Sequence, residues 1–268
     1  MTSLLLPLLF CVLVWWGSTW LILFLDTSSP RSFRVSLLIA GVLAMSALVA
    51  MALLGSVETP AAAYASFLCG ILVWGWLEMS YLMGFVTGPW AQPCPAGAAG
   101  WRRFVLGVKT SLYHELAVVA MAGVLFVLTW GEPNQTGAWA FTVLWLMRWS
   151  SKLNIFLGVS NLNEDFFPEK VAYLKTFVRR KPMNWLFPWS VALGVLAIVK
   201  LVLLATADPA DTFAAACWGL VASIALLGLL EHLFLVLPVA DDALWRSAVQ
   251  QRSVTDSTKA KTLVQTGR

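Results

Sequence analysis

Two ionisable pairs lie inside hydrophobic segments of the sequence, His114-Glu115 in one segment and Glu231-His232 in another. A third hydrophobic segment contains Glu78. The chain has two histidines, and both fall where a membrane-spanning helix is expected. A charged group near the middle of a bilayer costs about 2.5–3.5 kcal/mol or more, so it normally faces a partner or a cavity. The pattern therefore predicts a polar site inside a membrane bundle.

Further polar residues accompany these segments. Arg148, Lys152 and Asn154 lie in a fourth hydrophobic segment, and Asn161 and Glu164 lie in the NLNED stretch that follows it. At a rise of about 1.5 Å per residue, most of the candidate groups on helices lie roughly 7–15 Å from one end of their segments. We therefore expect them at similar depth, in the inner half of the bilayer, with Arg148 near the middle.

A first interpretation of these residues is charge compensation. The three glutamates of the hydrophobic segments would balance Lys109, Arg148 and Lys152, giving a buried ion-pair network that fixes helix packing. In this network Glu115 would pair with Arg148 or Lys152. Such networks are costly to bury and rarely add net stability, which is the weakness of this interpretation.

A second interpretation is a metal site in which the three glutamates and two histidines bind a dinuclear centre or a single Fe or Zn ion. Glu164 would add a fourth carboxylate. Adjacent residues on a helix point about 100° apart, so His114 and Glu115 cannot both face one ion without distortion. The Glu-x-x-His spacing of soluble di-iron bundles is absent from the sequence. A di-iron or zinc site is therefore less favoured than a pigment.

A third interpretation is a site for a tetrapyrrole or another pigment. A neutral histidine can be the axial ligand of Mg or Fe, and aromatic walls suit a flat macrocycle. Trp74 with Glu78, and Trp145 with Trp149, are spaced four residues apart and could line such a site. Transport of a small substrate is a further alternative. A retinal Schiff base is disfavoured, because the last hydrophobic segment lacks lysine.

All the ligand-site interpretations make one geometric prediction. Glu78, His114 and the Glu231-His232 pair should converge in one cytoplasm-facing cavity, with the Arg148 segment alongside.

The composition indicates a membrane protein. The chain is 59% hydrophobic and 12% charged, whereas globular chains average about 25% charged residues. Many of its 15 tryptophans lie near segment ends, as in interfacial aromatic belts. The net charge of +4 does not indicate nucleic-acid binding, because the basic residues are confined to loops on one side. The four cysteines are dispersed without a CxxC motif, which argues against a disulfide framework or a cysteine zinc site.

The hydrophobic pattern predicts an all-α bundle of about seven transmembrane helices, since about 20 apolar residues cross a bilayer. Lysine and arginine are concentrated in alternate loops, which predicts a periplasmic N-terminus, a cytoplasmic C-terminus and an inner-membrane location. The predicted helices are Leu4–Leu25, Val35–Leu54, Ala61–Phe85, Phe104–Trp130, Trp139–Val159, Leu186–Thr206 and Thr212–Leu237.

Residues 1–246 form one transmembrane domain in this prediction. Within it, residues 160–185 form a cytoplasmic segment, in which Glu169–Val178 has the spacing of an amphipathic helix lying on the headgroups. Residues 247–268 are rich in Ser, Thr, Gln and Lys and are predicted to form a disordered cytoplasmic tail.

Five stretches of the sequence resemble the photosynthetic-complex assembly protein of the puhE type. That family occurs in purple phototrophic bacteria and is encoded near the reaction-centre H subunit. The resemblance extends from about the third predicted helix to the seventh. The stretches are WGWLEMSYLMGFVTGP (Trp74–Pro89), SLYHEL (Ser111–Leu116), SSKLNIFLGVSNLNEDFFP (Ser150–Pro168), RRKPMNWLFPWSV (Arg179–Val191) and LLEHLFLVLP (Leu229–Pro238).

The resemblance implies an integral protein of the inner, intracytoplasmic membrane that acts in assembly of the reaction centre and light-harvesting complex. Its partners would be membrane lipid, subunits of those complexes and pigment-synthesis enzymes, and its ligand would be bacteriochlorophyll, a precursor or another tetrapyrrole. It would act by handling the pigment or by modulating its supply. No catalytic residues are carried over from the family. The alternative from a different class is a membrane-embedded, metal-dependent oxidoreductase that uses the Glu/His site on a pigment or lipid-soluble substrate.

Overall fold

The computed structural model describes residues 2–26, 30–161 and 169–237. The predictions for Glu164 and for the tail 247–268 lie outside the described residues. Within the described part the chain is all-helical. Its helices are α1 (Thr2–Asp26), α2 (Pro30–Leu54), α3 (Pro60–Leu82), α4 (Gly100–Lys109), α5 (Leu112–Leu128), α6 (Thr136–Leu157), a 3₁₀ segment (Glu169–Phe177), α7 (Phe187–Ala205) and α8 (Thr212–Phe234).

Five helices, α1, α2, α3, α7 and α8, are long and apolar enough to cross a membrane. The bent pair of α4 and α5 makes a sixth candidate if the two helices form one span. Helix α6 has 22 residues but is not among these candidates, because Arg148, Lys152 and the polar residues around them lower its mean hydropathy. The all-helical, multi-pass membrane class is confirmed.

Helix α8 lies at the centre of the bundle and packs against α1, α3, α6 and α7. Its sequence is rich in Ala, Gly and Ser, and small residues let neighbouring helices approach closely in a membrane. Helix α2 packs on α3, and α5 packs on α6. The outer helices α2 and α7 expose large apolar side chains such as Leu38, Val42, Leu193 and Leu196, as lipid-facing surfaces require.

Helices α3 and α6 come into backbone contact at two glycines. A Cβ atom on Gly70 would overlap the backbone of Gly137, and one on Gly137 would overlap the carbonyl oxygen of Ser66. The close approach also lets the backbone N–H of Gly137 donate to Ser66 Oγ at 3.0 Å. This contact joins α6, with its two cations, to the helix that contains Glu78.

The predicted single helix Phe104–Trp130 is wrong, because the chain bends by 61° between α4 and α5. The loop after α3 stabilises the bend. The backbone carbonyl of Thr87 accepts a hydrogen bond from the backbone N–H of His114 at 3.0 Å. The backbone N–H of Trp90 donates to the Lys109 carbonyl at 3.3 Å. Gly88 is in such close contact with this bend that a Cβ atom there would overlap the Lys109 carbonyl oxygen. The bend thus places His114 in the first turn of α5.

The predicted amphipathic α-helix at Glu169–Val178 is also wrong in its conformation. The structure has a 3₁₀ segment there, which buries Val171 and Phe177 against the protein. An isolated parallel β-bridge between Val159 and Arg180 joins the chain after α6 to the chain after the 3₁₀ segment. The tertiary contacts of the two buried side chains therefore decide the local structure.

Candidate functional site

Glu78 lies at the centre of a polar cluster between α3, α5 and α6. One carboxylate oxygen lies 3.1 Å from Arg148 Nη2, and the other lies 3.5 Å from His114 Nε2. Glu78 and His114 are both buried, with 7% and 1% of their surfaces exposed. A buried carboxylate in contact with a guanidinium group is compensated in charge, which makes its position within the bundle tolerable.

Local helical register explains how α3 presents this group. Glu78 lies on the same face as Trp74, four residues earlier, and Tyr81, three residues later, and this face packs towards the bundle interior. The Tyr81 ring lies against the His114 imidazole, with 4.6 Å between the ring centroids. His114 is thus held by its backbone at the α4–α5 bend and by the aromatic ring of α3.

Glu115 forms a second ion pair beside the first. Its Oε1 lies 2.6 Å from Lys152 Nζ, and its Oε2 accepts a hydrogen bond from Trp149 Nε1. Lys152 also lies over the Tyr81 ring, 4.9 Å from its centroid. Arg148 and Lys152 are one helical turn apart on α6, so the two adjacent α5 residues His114 and Glu115 each reach one part of the same network.

This arrangement is the pairing that the charge-compensation interpretation predicts for Glu115. One predicted member is missing. Lys109 forms no ion pair with any described residue, because it lies at the end of α4, on the far side of the bend.

The Glu231-His232 pair of α8 has different contacts. Glu231 Oε1 accepts a hydrogen bond from Trp15 Nε1 of α1 at 3.1 Å, and its charge lies close enough to Arg148 to attract it. His232 is buried, with 1% exposed, and its Nδ1 lies 2.8 Å from the carbonyl oxygen of Gly228, one turn earlier on α8. Its Nε2 has no hydrogen-bond partner in the part of the chain that the structure describes.

The structure thus brings Glu78, His114 and Glu115 together through α6, and links Glu231 to them by electrostatic attraction to Arg148. Hydrogen bonds within the described ranges join His232 to its own helix. Those ranges contain no group of three or more His, Cys, Asp or Glu side chains that could hold a metal ion. The predicted five-residue ligand set is therefore divided between two environments.

The two candidate asparagines, Asn154 and Asn161, donate hydrogen bonds mainly to backbone carbonyl groups. Asn154 Nδ2 donates to Ser150 O and to Ser190 Oγ of α7, which ties α6 to α7. Asn161 Nδ2 donates to the carbonyl oxygens of Phe234 and Leu237 at the end of α8. Both contacts satisfy groups that a helix end or a helix interface would otherwise leave unpaired.

Two aromatic residues of the network were not predicted from the sequence: Tyr81 and Trp15. Trp149, which the sequence analysis placed with Trp145 in the wall of a pigment site, donates its indole N–H to Glu115. Tyr81 could have been found by helical spacing, since it follows Glu78 by three residues. No sequence signal points to Trp15, whose bond to Glu231 joins residues 216 positions apart.

Several polar atoms of the cluster are buried and lack a partner among the described residues. They include His114 Nδ1, Arg148 Nε and Trp145 Nε1. An unsatisfied buried polar group costs about 1–3 kcal/mol. Chemically, the site combines balanced ion pairs with unused donors and acceptors that can bind the polar groups of a ligand or water.

Comparison with known proteins identifies relatives of the chain. It is 35% identical to a Rhodobacter capsulatus protein over 254 residues, which cover 87% of this chain and 86% of the relative. That relative is named for its mass of 30.4 kDa and for its position in the puhA 5′ region. No solved structure matches the chain. A family described as "Protein of unknown function (DUF3623)" matches residues 1–256, and the chain therefore belongs to the DUF3623 family.

Proposed function

We propose that this protein is an integral membrane factor for assembly of the photosynthetic reaction centre and light-harvesting complex, and that it handles bacteriochlorophyll or a precursor. The relative from Rhodobacter capsulatus is named for the puhA 5′ region, a photosynthesis gene region of a photosynthetic bacterium, which supports a role in photosynthesis. The sequence resemblance to the puhE-type assembly family supports the same role. The partners of such a factor are reaction-centre or light-harvesting subunits and pigment-synthesis enzymes.

The single observation that supports pigment handling is the state of His232. A neutral imidazole that donates Nδ1–H to the Gly228 carbonyl keeps its lone pair on Nε2. A hydrogen bond of this kind fixes the ring orientation and raises the basicity of a metal-binding histidine. Because Nε2 is buried and has no partner among the described residues, axial ligation to the central Mg of a bacteriochlorophyll would satisfy it.

The burial of His232 also bears on how long a pigment would stay. With 1% of the residue exposed, a macrocycle reaches Nε2 only after neighbouring side chains move. A site that must open to receive its ligand suits transfer of the pigment better than permanent storage. Bound bacteriochlorophyll would supply only its Mg as a Lewis acid, and the chain's part is to hold and orient it.

The membrane arrangement belongs to the same proposal. Helix α6 is the seventh span, since its two cations are paired with Glu78 and Glu115 within the bundle and so do not face lipid unpaired. The N-terminus faces the periplasm and the C-terminus the cytoplasm of the inner, intracytoplasmic membrane. Residues 1–246 form the transmembrane domain. The metal-dependent oxidoreductase alternative has no observation of comparable weight, because the described residues do not assemble a three-ligand group.

The test compares the two histidines in protein purified from a phototrophic host. We expect His232→Leu to lose most of the bound bacteriochlorophyll or precursor, because leucine has no lone pair with which to bind Mg. His114→Leu is the matched control, since the Nε2 of His114 faces Glu78, and this variant should keep the wild-type content. The measurement is pigment per protein by absorbance after solvent extraction. Equal content in all three proteins, including none at all, would exclude ligation by these histidines and leave the ion network as a structural feature.

A further inference from the structure

A groove opens on the protein surface where the start of α4, the end of α6 and the chain after the 3₁₀ segment meet. Its volume is about 340 Å³. Almost all of its wall is apolar, but two arginines border it. The lining residues are Gly100, Trp101, Arg103, Phe104, Phe156, Leu157 and Arg179.

Arg103 is held in the groove wall by neutral groups, with no counter-charge among the residues that the structure describes. Its Nη1 donates to the Phe156 carbonyl at 3.4 Å and its Nη2 donates to the Phe177 carbonyl. The guanidinium carbon lies 4.2 Å from the centroid of the Phe156 ring. These carbonyl acceptors are neutral, so they fix the side chain but do not compensate its positive charge.

Arg179 is exposed and lies close enough to Arg103 for the two positive charges to repel each other. No carboxylate in the described ranges lies within ion-pair distance of either guanidinium group. Two like charges at one groove are stabilised by an anion, and an exposed guanidinium group such as that of Arg179 can bind phosphate oxygens in bidentate geometry. The charge of the groove therefore selects an anionic ligand.

The apolar part of the groove restricts that ligand further. Trp101 is 75% exposed and stacks on Phe104, with 5.1 Å between the centroids. The rings of Phe104 and Phe156 make a T-shaped contact, with 5.8 Å between their centroids. A small soluble anion would leave this aromatic surface in water, whereas an amphiphile would cover it. An exposed tryptophan beside arginines is also typical of a membrane–water interface.

We propose that the groove binds one anionic phospholipid, with its phosphate on the exposed Arg179, attracted also by the charge of the buried Arg103, and the upper part of one acyl chain along Phe104 and Phe156. The volume is too small for a whole lipid, so the remaining acyl chain stays in the bilayer. Neutral phospholipids bind less well, because a zwitterionic headgroup compensates the two arginines less completely. The site is independent of the pigment proposal, since none of its residues contacts the Glu78 cluster or His232 in the described contacts.

The test uses the full-length protein in detergent, delipidated and then incubated with phosphatidylglycerol that has brominated acyl chains. Bromine quenches nearby tryptophan fluorescence, and Trp101→Phe identifies the part of the quenching that comes from the groove. We expect saturable binding of about one lipid per chain. Arg179→Gln should weaken it about fivefold, the factor expected for the attraction of one basic residue to an anionic lipid. Arg102→Gln is the matched control, because it removes an exposed charge one residue from the groove wall, and its affinity should stay at the wild-type value.

Each other outcome overturns the proposal. Equal weakening by both arginine variants would mean diffuse attraction without a built site. Brominated phosphatidylcholine binding as tightly as phosphatidylglycerol would mean that the charge selects nothing. Displacement by inorganic phosphate would mean a soluble-anion site. Size-exclusion chromatography confirms that the variants remain folded, and the Trp101→Phe arm tests the groove with both arginines intact.

Discussion

Arg148 is the cation that faces the buried carboxylate of Glu78. It pairs with Glu78 at 3.1 Å and attracts Glu115 and Glu231. Its side chain is 41% exposed, although its Nε is buried. The consequence of removing it falls mainly on Glu78, which is buried and would keep His114 in direct contact and Lys152 as a more distant cation.

Arg148→Leu should therefore lower the free energy of unfolding by about 1–3 kcal/mol, less than the ~3–5 kcal/mol typical of a fully buried pair, because Arg148 is partly exposed. The double variant Glu78→Gln/Arg148→Leu should recover part of this loss, since no uncompensated charge remains. Thermal unfolding in detergent gives both values as a double-mutant cycle. Strictly additive effects of the two substitutions would show that the pair is not coupled.

Helix α6 illustrates, at the scale of the element, how a polar helix is held in an apolar bundle. Its N-terminal half meets α3 through the backbone contact of Gly70 and Gly137, and its C-terminal half contributes Arg148 and Lys152. The close contact and the Glu78–Arg148 ion pair act on the same two helices, α3 and α6, whereas the Lys152–Glu115 pair joins α6 to α5. A change that separates the backbones should therefore also weaken the pairing of Glu78.

Gly137→Ala should separate α3 from α6, because its Cβ atom would overlap the Ser66 carbonyl oxygen. Overpacking of this kind costs about 1–3 kcal/mol. Gly123→Ala on α5 is the control, since nothing lies within 4 Å of a Cβ atom there. The apparent melting temperature of the purified proteins measures the difference. A loss in Gly123→Ala as large as that in Gly137→Ala would contradict the close-contact explanation.

The parts of this fold that can be predicted from the sequence depend on local composition. The parts that cannot be predicted depend on contacts between residues far apart in the chain. Apolar runs identify α1, α2, α3, α7 and α8, because lipid as a solvent acts on local composition. The α4–α5 bend depends on the loop at Gly88, which contributes nothing to the hydropathy of residues 104–130. The Trp15–Glu231 bond likewise depends on α1 packing against α8 at the two ends of the chain. Contacts of this kind follow from packing and leave no local pattern.

At the scale of the whole molecule, the distribution of charge among the loops predicts the membrane topology. The proposed orientation puts the basic loops, including the phospholipid groove, on the cytoplasmic side. Reporter fusions after Glu58, Glu132 and Asp211 should therefore report the periplasm. Fusions after Arg102, Lys175 and Arg252 should report the cytoplasm, because lysine and arginine resist translocation. A periplasmic signal from the fusion after Lys175 would contradict the proposed orientation, and with it the cytoplasmic position of both the site and the groove.

The order of the charged helices along the chain has a consequence for biogenesis. Synthesis proceeds from the N-terminus, so Glu78 on α3 and Glu115 on α5 leave the ribosome before Arg148 and Lys152 on α6. Helix α6 is not among the five helices that are long and apolar enough to qualify as spans. Under the proposed seven-span arrangement, its two counter-ions would already be in the membrane when it reaches the translocon, and they could draw it laterally into the membrane beside them. In that arrangement the ion pairs that balance charge in the folded protein would also favour the insertion of α6.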